Sequence, residues 1–177
     1  DGLRFEAVDL SGLSAEQVSF VRADFDRCSF ARANLAGAFF ARARLHRCDF
    51  SGAKLDGAVL TGAVADSAFV ECSMRDVVWS NAALAGSVLS QADLAGAVLT
   101  GAKLGGVDAR AATLTGALLT DADLSGAVFD EANLDGVMLG AADLRGASLR
   151  GTSLCDVDLS EAACEGAQFG AADLSGA

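Results

Sequence analysis

The residues that could perform chemistry are few, and none stands in a pattern typical of a catalytic or metal centre. The chain of 177 residues has a single histidine, His46, which lies on an outward position among arginines. No nucleophile or metal ligand is spaced to pair with it. No phosphate-binding G-x-x-x-x-G-K-[ST] motif occurs. Carboxylates are frequent, but they recur along the chain rather than around one pocket, so we predict no enzyme, no cofactor and no bound metal.

Five cysteines could supply a thiol or a disulfide. In the repeat described below, Cys28, Cys48 and Cys72 fall at small interior positions and Cys164 at a large one, where each acts as a buried apolar residue. Cys28 and Cys48 could lie on stacked coils close enough to bridge, but a reduced interior accounts for them more simply. Cys155 falls on an outward position and is the candidate reactive thiol, although no neighbour would activate it.

A repeat of five residues positions all these side chains. In Asp121–Arg150, DADLS GAVFD EANLD GVMLG AADLR GASLR, a small residue precedes Leu or Phe by two positions. Residues two apart on a strand face the same way, whereas the three-residue step to the next pair requires a corner. The large residues recur every five from Phe5 to Ala65 and again from Phe69 to Leu174, and 29 of these 35 are Leu or Phe. An amphipathic helix needs a period of about 3.6, so the sequence predicts a solenoid.

Glycine marks the corners of this solenoid. We call the large residue of each repeat the central residue, and the residue two positions later the corner residue. Of the 20 glycines, 17 are corner residues, for example Gly126 and Gly136. A type II turn needs a positive φ at one residue, which glycine adopts without a steric penalty. Core and corner chemistry therefore agree along the whole chain.

The repeat resembles that of the pentapeptide repeat family, whose usual pattern is A(D/N)LXX. Ala122-Asp123-Leu124, Ala132-Asn133-Leu134 and Ala142-Asp143-Leu144 match it literally, and the resemblance extends over essentially all of the chain. It implies an all-β fold, a right-handed quadrilateral β-helix with 20 residues in each of about nine coils. Arg22 and Arg42 are 20 residues apart, which agrees with four sides.

Two places depart from the regular repeat. One residue is missing between Ala65 and Phe69, and Met74 and Trp79 are unusual central residues. A side of four residues cannot be regular, so we predict a bulge, kink or small loop near residues 65–69, within a single domain spanning residues 1–177. The other place is residues 14–17, SAEQ, which could form a helical turn capped by Ser14.

Charge divides the chain into two parts. Residues 1–80 hold 11 acids and 9 bases, whereas residues 81–177 hold 13 acids and 4 bases, a net charge of −9 out of −11. An Asp just before a central residue, such as Asp123 or Asp143, can bond to the corner backbone. Acids without that structural role are the candidate partner-binding face: Asp121, Asp130, Glu131, Asp135, Glu161 and Glu165.

A group of arginines occupies corner positions in the first part of the chain. The central phenylalanines between them face the core and cannot stack on bases, so we expect no direct binding of nucleic acid. One interpretation is a solvated surface partly paired with Asp24, Asp26 and Asp49, and the alternative is a second contact for a protein partner. The arginines are Arg22, Arg27, Arg32, Arg42 and Arg47.

A narrower resemblance suggests a function. Asp9–Phe20, DLSGLSAEQVSF, and Phe69–Met74, FVECSM, are similar to segments of MfpA-type proteins, the gyrase-binding relatives of the Qnr quinolone-resistance proteins. This resemblance implies a DNA mimic that binds DNA gyrase or another type II topoisomerase and modulates the enzyme or protects it from quinolone-like inhibitors. The acidic part spans roughly 23 Å, over which B-DNA carries roughly 14 phosphates. The alternative is a structural or protein-binding repeat domain with no topoisomerase role.

The final coil suggests self-association. Its apolar central residues have no cap in the sequence, so we predict end-to-end contact as a homodimer through the C-terminal coil. Relatives of the implied type dimerise through a C-terminal helical module, which this sequence does not show. There is no apolar run of about 18 residues and no signal peptide, so we expect a cytoplasmic protein without a membrane span. The residues of the expected interface are Leu159, Cys164, Phe169 and Leu174.

Overall fold

Each repeat bonds to the coils above and below it. In the computed structural model, which describes residues 2–177, the backbone N–H of Leu124 donates to the carbonyl of Asp143 on the next coil at 2.8 Å. The N–H of Asp123 donates to the carbonyl of Ala102 on the preceding coil at 2.9 Å. The N–H of Ala127 then closes a turn on the carbonyl of Leu124 at 3.0 Å. The backbone polar groups of the repeat thus bond between coils and across corners, without a helix.

The corner residues adopt the predicted conformation. All 17 corner glycines have φ between 64° and 82°. Many corner residues other than glycine occupy the same region, for example Arg22 at φ 58° and Asp121 at φ 59°. A side chain in this region costs roughly 1–3 kcal/mol, which the inter-coil hydrogen bonds must offset.

The coils pair in parallel. Four short strands, β1 (Arg4–Glu6), β2 (Asp24–Asp26), β3 (Arg44–Asp49) and β4 (Val64–Ala68), form one sheet in the order β1-β2-β3-β4. Single parallel bridges continue this sheet and form the three other sides, mostly between residues 20 apart. Four repeats therefore make one coil, and the predicted all-β quadrilateral β-helix is confirmed. We name its sides after their first central residues: the Phe5, Leu10, Ala15 and Phe20 sides.

Central and small residues fill the interior, as the repeat predicts. Leu124 is 1% exposed, and the core continues from the first coils to Val157. Phe30 and Phe50 stack with ring centroids 4.7 Å apart, and Phe50 and Phe69 at 4.8 Å. Each coil therefore rises by about 4.8 Å, the usual spacing between hydrogen-bonded strands.

The missing residue near 65–69 produces a β-bulge. Strand β4 runs straight through Ser67, the position at which a corner residue would stand, and the pairing of β3 with β4 shifts between His46 and Asp49. Pairs that span this point are one residue closer in the chain than the others, for example Lys54 with Ser73. No loop projects here.

Ser67 replaces the missing corner with side-chain hydrogen bonds. It is 4% exposed, its hydroxyl donates to the carbonyl of Leu45 at 2.7 Å, and it accepts from the N–H of Cys48 at 2.9 Å. The hydroxyl of Ser87 on the next coil donates in turn to the carbonyl of Ala65 at 3.1 Å. Two buried hydroxyls therefore satisfy backbone groups that the bulge takes out of the regular ladder.

Replacing Ser67 by Ala should lower the free energy of unfolding by about 1–3 kcal/mol. The substitution leaves the carbonyl of Leu45 and the N–H of Cys48 buried without these partners. Denaturant unfolding followed by the fluorescence of Trp79, the only tryptophan, would measure the loss. The exposed Ser11→Ala is the matched control, and equal stabilities of the two variants would contradict this role of Ser67.

The helical turn considered for residues 14–17 does not form. Ser14 instead bridges to Asn34, Ala15 is 7% exposed as a central residue, and Gln17 is an ordinary corner residue with φ 59°. The backbone pairing of this segment with the next coil therefore outweighs the local preference of Ser14 to cap a helical turn.

Candidate partner-binding surfaces

The corner arginines lie on three different edges of the β-helix. Arg22 and Arg42 stack on the edge between the Phe20 and Phe5 sides, and Arg27 and Arg47 on the edge between the Phe5 and Leu10 sides. Arg32 lies on the next edge, between the Leu10 and Ala15 sides. The structure therefore does not gather the five into one patch, and any second contact would use one edge at a time.

Ion pairing of these arginines is sparse. Arg27 approaches Glu6 at 2.5 Å and Asp26 at 3.3 Å, with about half of the arginine side chain exposed. Within residues 2–177, the other four corner arginines form no ion pair. Of the expected partners, Asp26 alone pairs with a corner arginine in the part of the chain that the structure describes, and Asp49 accepts hydrogen bonds from Ser51.

The candidate acidic residues divide into two groups. Asp121 and Glu161 lie on the edge between the Phe20 and Phe5 sides, and Glu165 follows at the Phe5 side. The second group surrounds the edge between the Leu10 and Ala15 sides and consists of Asp130, Glu131 and Asp135. The acidic surface is therefore spread around the rod rather than confined to one face.

Two of these acids also cap the backbone, which sequence analysis missed. Asp130 accepts from the N–H of Arg150 at 3.0 Å and from the hydroxyl of Ser148. Asp135 accepts from the N–H of Cys155 at 3.0 Å and from the hydroxyl of Ser153 at 2.6 Å. The assignment of both residues as acids without a structural role was wrong. A serine that follows the acid by slightly less than one coil is the sequence signal of this cap.

Aspartates before a central residue cap their own corner, as turn chemistry predicts. Asp123 accepts from the N–H of Ser125 at 3.0 Å, and Asp158 from the N–H of Ser160 at 2.9 Å. Asp143 accepts from the N–H of Arg145 at 3.1 Å and from its guanidinium at 2.8 Å. These bonds from Arg145 lower the pKa of Asp143 from 3.8 to about 2.

Asp143→Asn should change how stability depends on pH. Because the pKa of Asp143 is lowered by folding, its stabilisation is present above pH 3.8 and is lost as pH falls towards about 2. The difference in unfolding free energy between wild type and variant should therefore narrow over that interval. Denaturant unfolding at a series of pH values measures it. Asp121→Asn, which removes a corner carboxylate on the preceding coil, is the control, and a constant difference for Asp143→Asn would contradict the expectation.

A recess lies on the Phe5 side where the bulge occurs. It has a volume of about 510 Å³ and combines Arg44 with the exposed Val64. Within it, Nδ1 of His46 and a carboxylate oxygen of Asp66 are 2.7 Å apart, a pair that sequence analysis missed because the residues are 20 apart. No serine, threonine or cysteine lines the recess. Among the described residues, no hydroxyl or thiol side chain therefore stands beside the pair as a nucleophile.

The cysteines are unpaired, and the pKa of several of their thiols is raised. All five cysteines are free, so Cys28 and Cys48 form no disulfide. Burial raises the pKa of Cys48 to about 11 and that of Cys72 to about 12. The pKa of Cys155 is also raised: its contact with Ser153 lowers it, but desolvation and the nearby Asp173 and Asp135 outweigh that effect. Cys155 is therefore a less reactive thiol than its outward position suggested.

The C-terminal coil exposes part of its apolar interior. Leu174 is 42% exposed, and Leu159, Cys164 and Phe169 are half-buried, whereas the equivalent residues two coils earlier are fully buried. End-to-end association through this surface stays a prediction.

The described part of the chain contains no helix with the length and hydrophobicity needed to cross a bilayer. It also contains no cluster of three or more His, Cys, Asp or Glu side chains that could hold a metal ion.

The fold and its repeat define a class of protein, and sequence comparison agrees with it. A family model described as a pentapeptide repeat region matches residues 23–99. A second, described as pentapeptide repeats (8 copies), matches residues 4–35, 110–146 and 139–176. The chain belongs to the pentapeptide repeat family. No curated protein matches it significantly.

Solved structures with the same fold include QnrB1, a plasmid-mediated fluoroquinolone resistance protein. A trypsin-treated form of QnrB1 is 16% identical, with 97% of this chain and 89% of that chain covered and a TM-score of 0.72. HetL from the cyanobacterium Nostoc sp. strain PCC 7120, a protein involved in heterocyst differentiation regulation, is 27% identical. That match covers 96% of this chain and 88% of HetL with a TM-score of 0.46.

Proposed function

We propose that this protein is a DNA mimic that binds DNA gyrase or another type II topoisomerase and modulates its activity or protects it from quinolone-like inhibitors. The observation that carries the proposal is the net charge of −9 on residues 81–177, borne by a stack of coils that rises about 4.8 Å per coil. A rod of this kind offers negative charge at regular intervals to a protein surface that normally holds duplex DNA.

The number and exposure of the acids support the mimicry. Over roughly 23 Å, B-DNA carries roughly 14 phosphate charges, so nine net charges are of the same order. Asp121, Glu131, Glu161 and Glu165 are all exposed. Asp130 and Asp135 are half-buried and engaged in caps, yet their carboxylates add to the same field. Because the acids surround the rod, we expect a partner that encloses it, as a DNA-binding channel does.

The likeness to QnrB1 supports a topoisomerase partner indirectly. QnrB1 is a fluoroquinolone resistance protein, and quinolones act on type II topoisomerases. At 16% identity the likeness concerns the fold, so the choice of partner rests on the segments Asp9–Phe20 and Phe69–Met74 together with the charge. The corner arginines, of which Arg22 and Arg42 share an edge with Asp121, are proposed as a second contact.

Supercoiling and quinolone-induced cleavage by purified gyrase, titrated with this protein, test the proposal. We expect either activity to change at micromolar protein, and to change less as salt is raised, because exposed charges are screened over about 8–10 Å at physiological ionic strength. If both activities are unaffected, the alternative of a structural or protein-binding repeat domain takes the place of the topoisomerase role.

A further inference from the structure

Six outward residues of the Phe20 side, on six successive coils, are apolar. Parallel bridges join each to the next in a single column. The residues at its ends, Phe39 and Met138, are 43% and 47% exposed, and the four between them are half-buried. The column is about 24 Å long at 4.8 Å per coil. We call it the apolar ladder: Phe39, Val59, Val78, Val98, Leu118 and Met138.

No other side has such a column in the described structure. Over the same coils, the equivalent positions include Arg44 on the Phe5 side, Asp108 on the Leu10 side and Lys54 on the Ala15 side. Two edges border the apolar ladder, and the one shared with the Ala15 side is charged at Asp56, Arg75 and Asp76. The edge shared with the Phe5 side is uncharged between residues 61 and 101, with small polar residues such as Thr61 and Ser80. The Phe20 side therefore presents an apolar strip with one uncharged border.

Charges at the two ends of the edge between the Phe20 and Phe5 sides have opposite signs. Arg22 and Arg42 lie at the N-terminal end of the edge, and Asp121 and Glu161 at its C-terminal end. The midpoint of the apolar ladder falls between Val78 and Val98. Arg22 and Glu161 lie at equal numbers of coils from this midpoint, so a two-fold rotation about it would superimpose the basic end on the acidic end.

We propose that the apolar ladder is the interface of a homodimer in which two copies pack side by side with their rods antiparallel. The two-fold axis lies in the plane between the two Phe20 sides and is perpendicular to the rods. The two ladders therefore face each other, and each edge of one copy lies opposite the same edge of the other copy. Phe39 then faces Met138 of the second copy, Val59 faces Leu118, and Val78 faces Val98. The residues are large at both ends and smaller in the middle, so the column has nearly the same profile in either direction, and Phe39 and Met138 make the closest contacts.

The same rotation matches the charges. Arg22 of one copy comes opposite Glu161 of the other, and Arg42 lies one coil, about 4.8 Å, from the other copy's Asp121. A parallel arrangement would instead place this edge against the opposite edge of the second copy and lose the match. An isologous contact of this kind is the commonest form of homodimer.

The expected contact is small. Six coils at 4.8 Å, with a side about 10 Å wide, give a footprint of roughly 300 Å² on each copy, below the roughly 800 Å² per partner of a standard interface. The dimer is therefore weak and forms as the protein concentration rises. The dimer would cover Asp121 and Glu161, which the proposed function also uses, and it leaves Glu131 and the edge between the Leu10 and Ala15 sides uncovered. Its test measures association of the chain with itself and does not involve gyrase, so the two proposals can fail separately.

Sedimentation velocity of the full chain, from about 1 μM to about 1 mM, tests this interface. The wild type should shift from monomer to dimer in this range, and Val98→Lys should weaken the dimer at least about tenfold because it places a charge in the apolar contact. Val128→Lys is the matched control, since Val128 is an equally half-buried outward valine on the Leu10 side. A wild type that stays monomeric, or equal losses in the two variants, would overturn the proposal.

A charge exchange tests the antiparallel arrangement. Arg22→Glu should weaken the dimer about two- to tenfold, since it sets like charges against the second copy's Glu161. The double variant Arg22→Glu/Glu161→Arg should restore wild-type affinity. No restoration, or small-angle scattering that shows a rod of doubled length at unchanged thickness, would exclude this dimer, the latter in favour of end-to-end contact.

Discussion

Replacing Leu124 by Asp is expected to abolish folding. Leu124 is 1% exposed inside the β-helix, between the coils that carry Leu104 and Leu144. A carboxylate there would be buried among apolar side chains with no partner, which costs several kcal/mol and exceeds the stability margin of many domains. Because each coil packs only on its neighbours, the loss would also separate the N-terminal from the C-terminal coils. Circular dichroism and the fluorescence of Trp79, which is buried and packs edge-on against Phe69 at 5.1 Å, would report it.

Two further variants make this result specific. Thr100→Asp introduces the same carboxylate at an outward position, where the equivalent residues of the neighbouring coils, Ser80 and Thr120, are uncharged, and it should leave folding unchanged. Leu124→Ala removes volume without adding charge and should lower the free energy of unfolding by about 2–5 kcal/mol. A soluble, normally folded Leu124→Asp variant would mean that the assigned register is wrong.

The core and the corners could be predicted from sequence because both depend on the repeat alone. A small residue two positions before Leu124 fixes which side chains point inward, and Gly126 fixes where the chain turns. Neither inference requires knowledge of the number of sides. The same reasoning located the irregularity at residues 65–69, although it did not choose among a bulge, a kink and a loop.

Contacts between coils were harder to predict, because they require the coil length and the lean of each side chain. Asp130 reaches Ser148 and Asp66 reaches His46 only when residues about one coil apart in the chain are stacked. The hydroxyl of Ser67 likewise satisfies partners on the preceding coil, Cys48 and Leu45. The family resemblance supplied the coil length. It did not indicate towards which of the two neighbouring sides a residue beside a corner points.

The division of the acidic residues has the same origin. Asp121, Glu131 and Asp135 are close together in the chain, which suggests one face. On a four-sided coil, however, two repeats amount to half a turn, so Asp121 and Glu131 lie on opposite edges of the rod. Charged residues that are close together in the sequence of a β-helix are therefore distributed around the rod. This arrangement favours a partner that surrounds the rod over one that binds a flat face.

The proposed function predicts that reversing exposed acids to lysine raises the protein concentration needed to affect gyrase by at least about tenfold. The variant combines Asp121→Lys, Glu131→Lys and Glu165→Lys, which are exposed on three positions around the rod. Asp130 and Asp135 are left unchanged because their substitution would remove backbone caps. Three reversals shift the net charge by six units, which reduces electrostatic steering towards a surface that binds DNA. Supercoiling and quinolone-induced cleavage, measured across a salt series, give the readout.

Reversal of two arginines is the matched control for this loss. Arg27→Glu/Arg47→Glu changes corner residues on another edge and should have a smaller effect, unless that edge is the second contact. Raising the salt should bring the wild type and the lysine variant closer together, because screening acts on the charges that differ between them. Unfolding of both variants followed through Trp79 separates loss of binding from loss of fold. If the lysine variant is folded and acts on gyrase as the wild type does at every salt concentration, the acids do not mimic DNA, whatever other surface of the rod gyrase contacts.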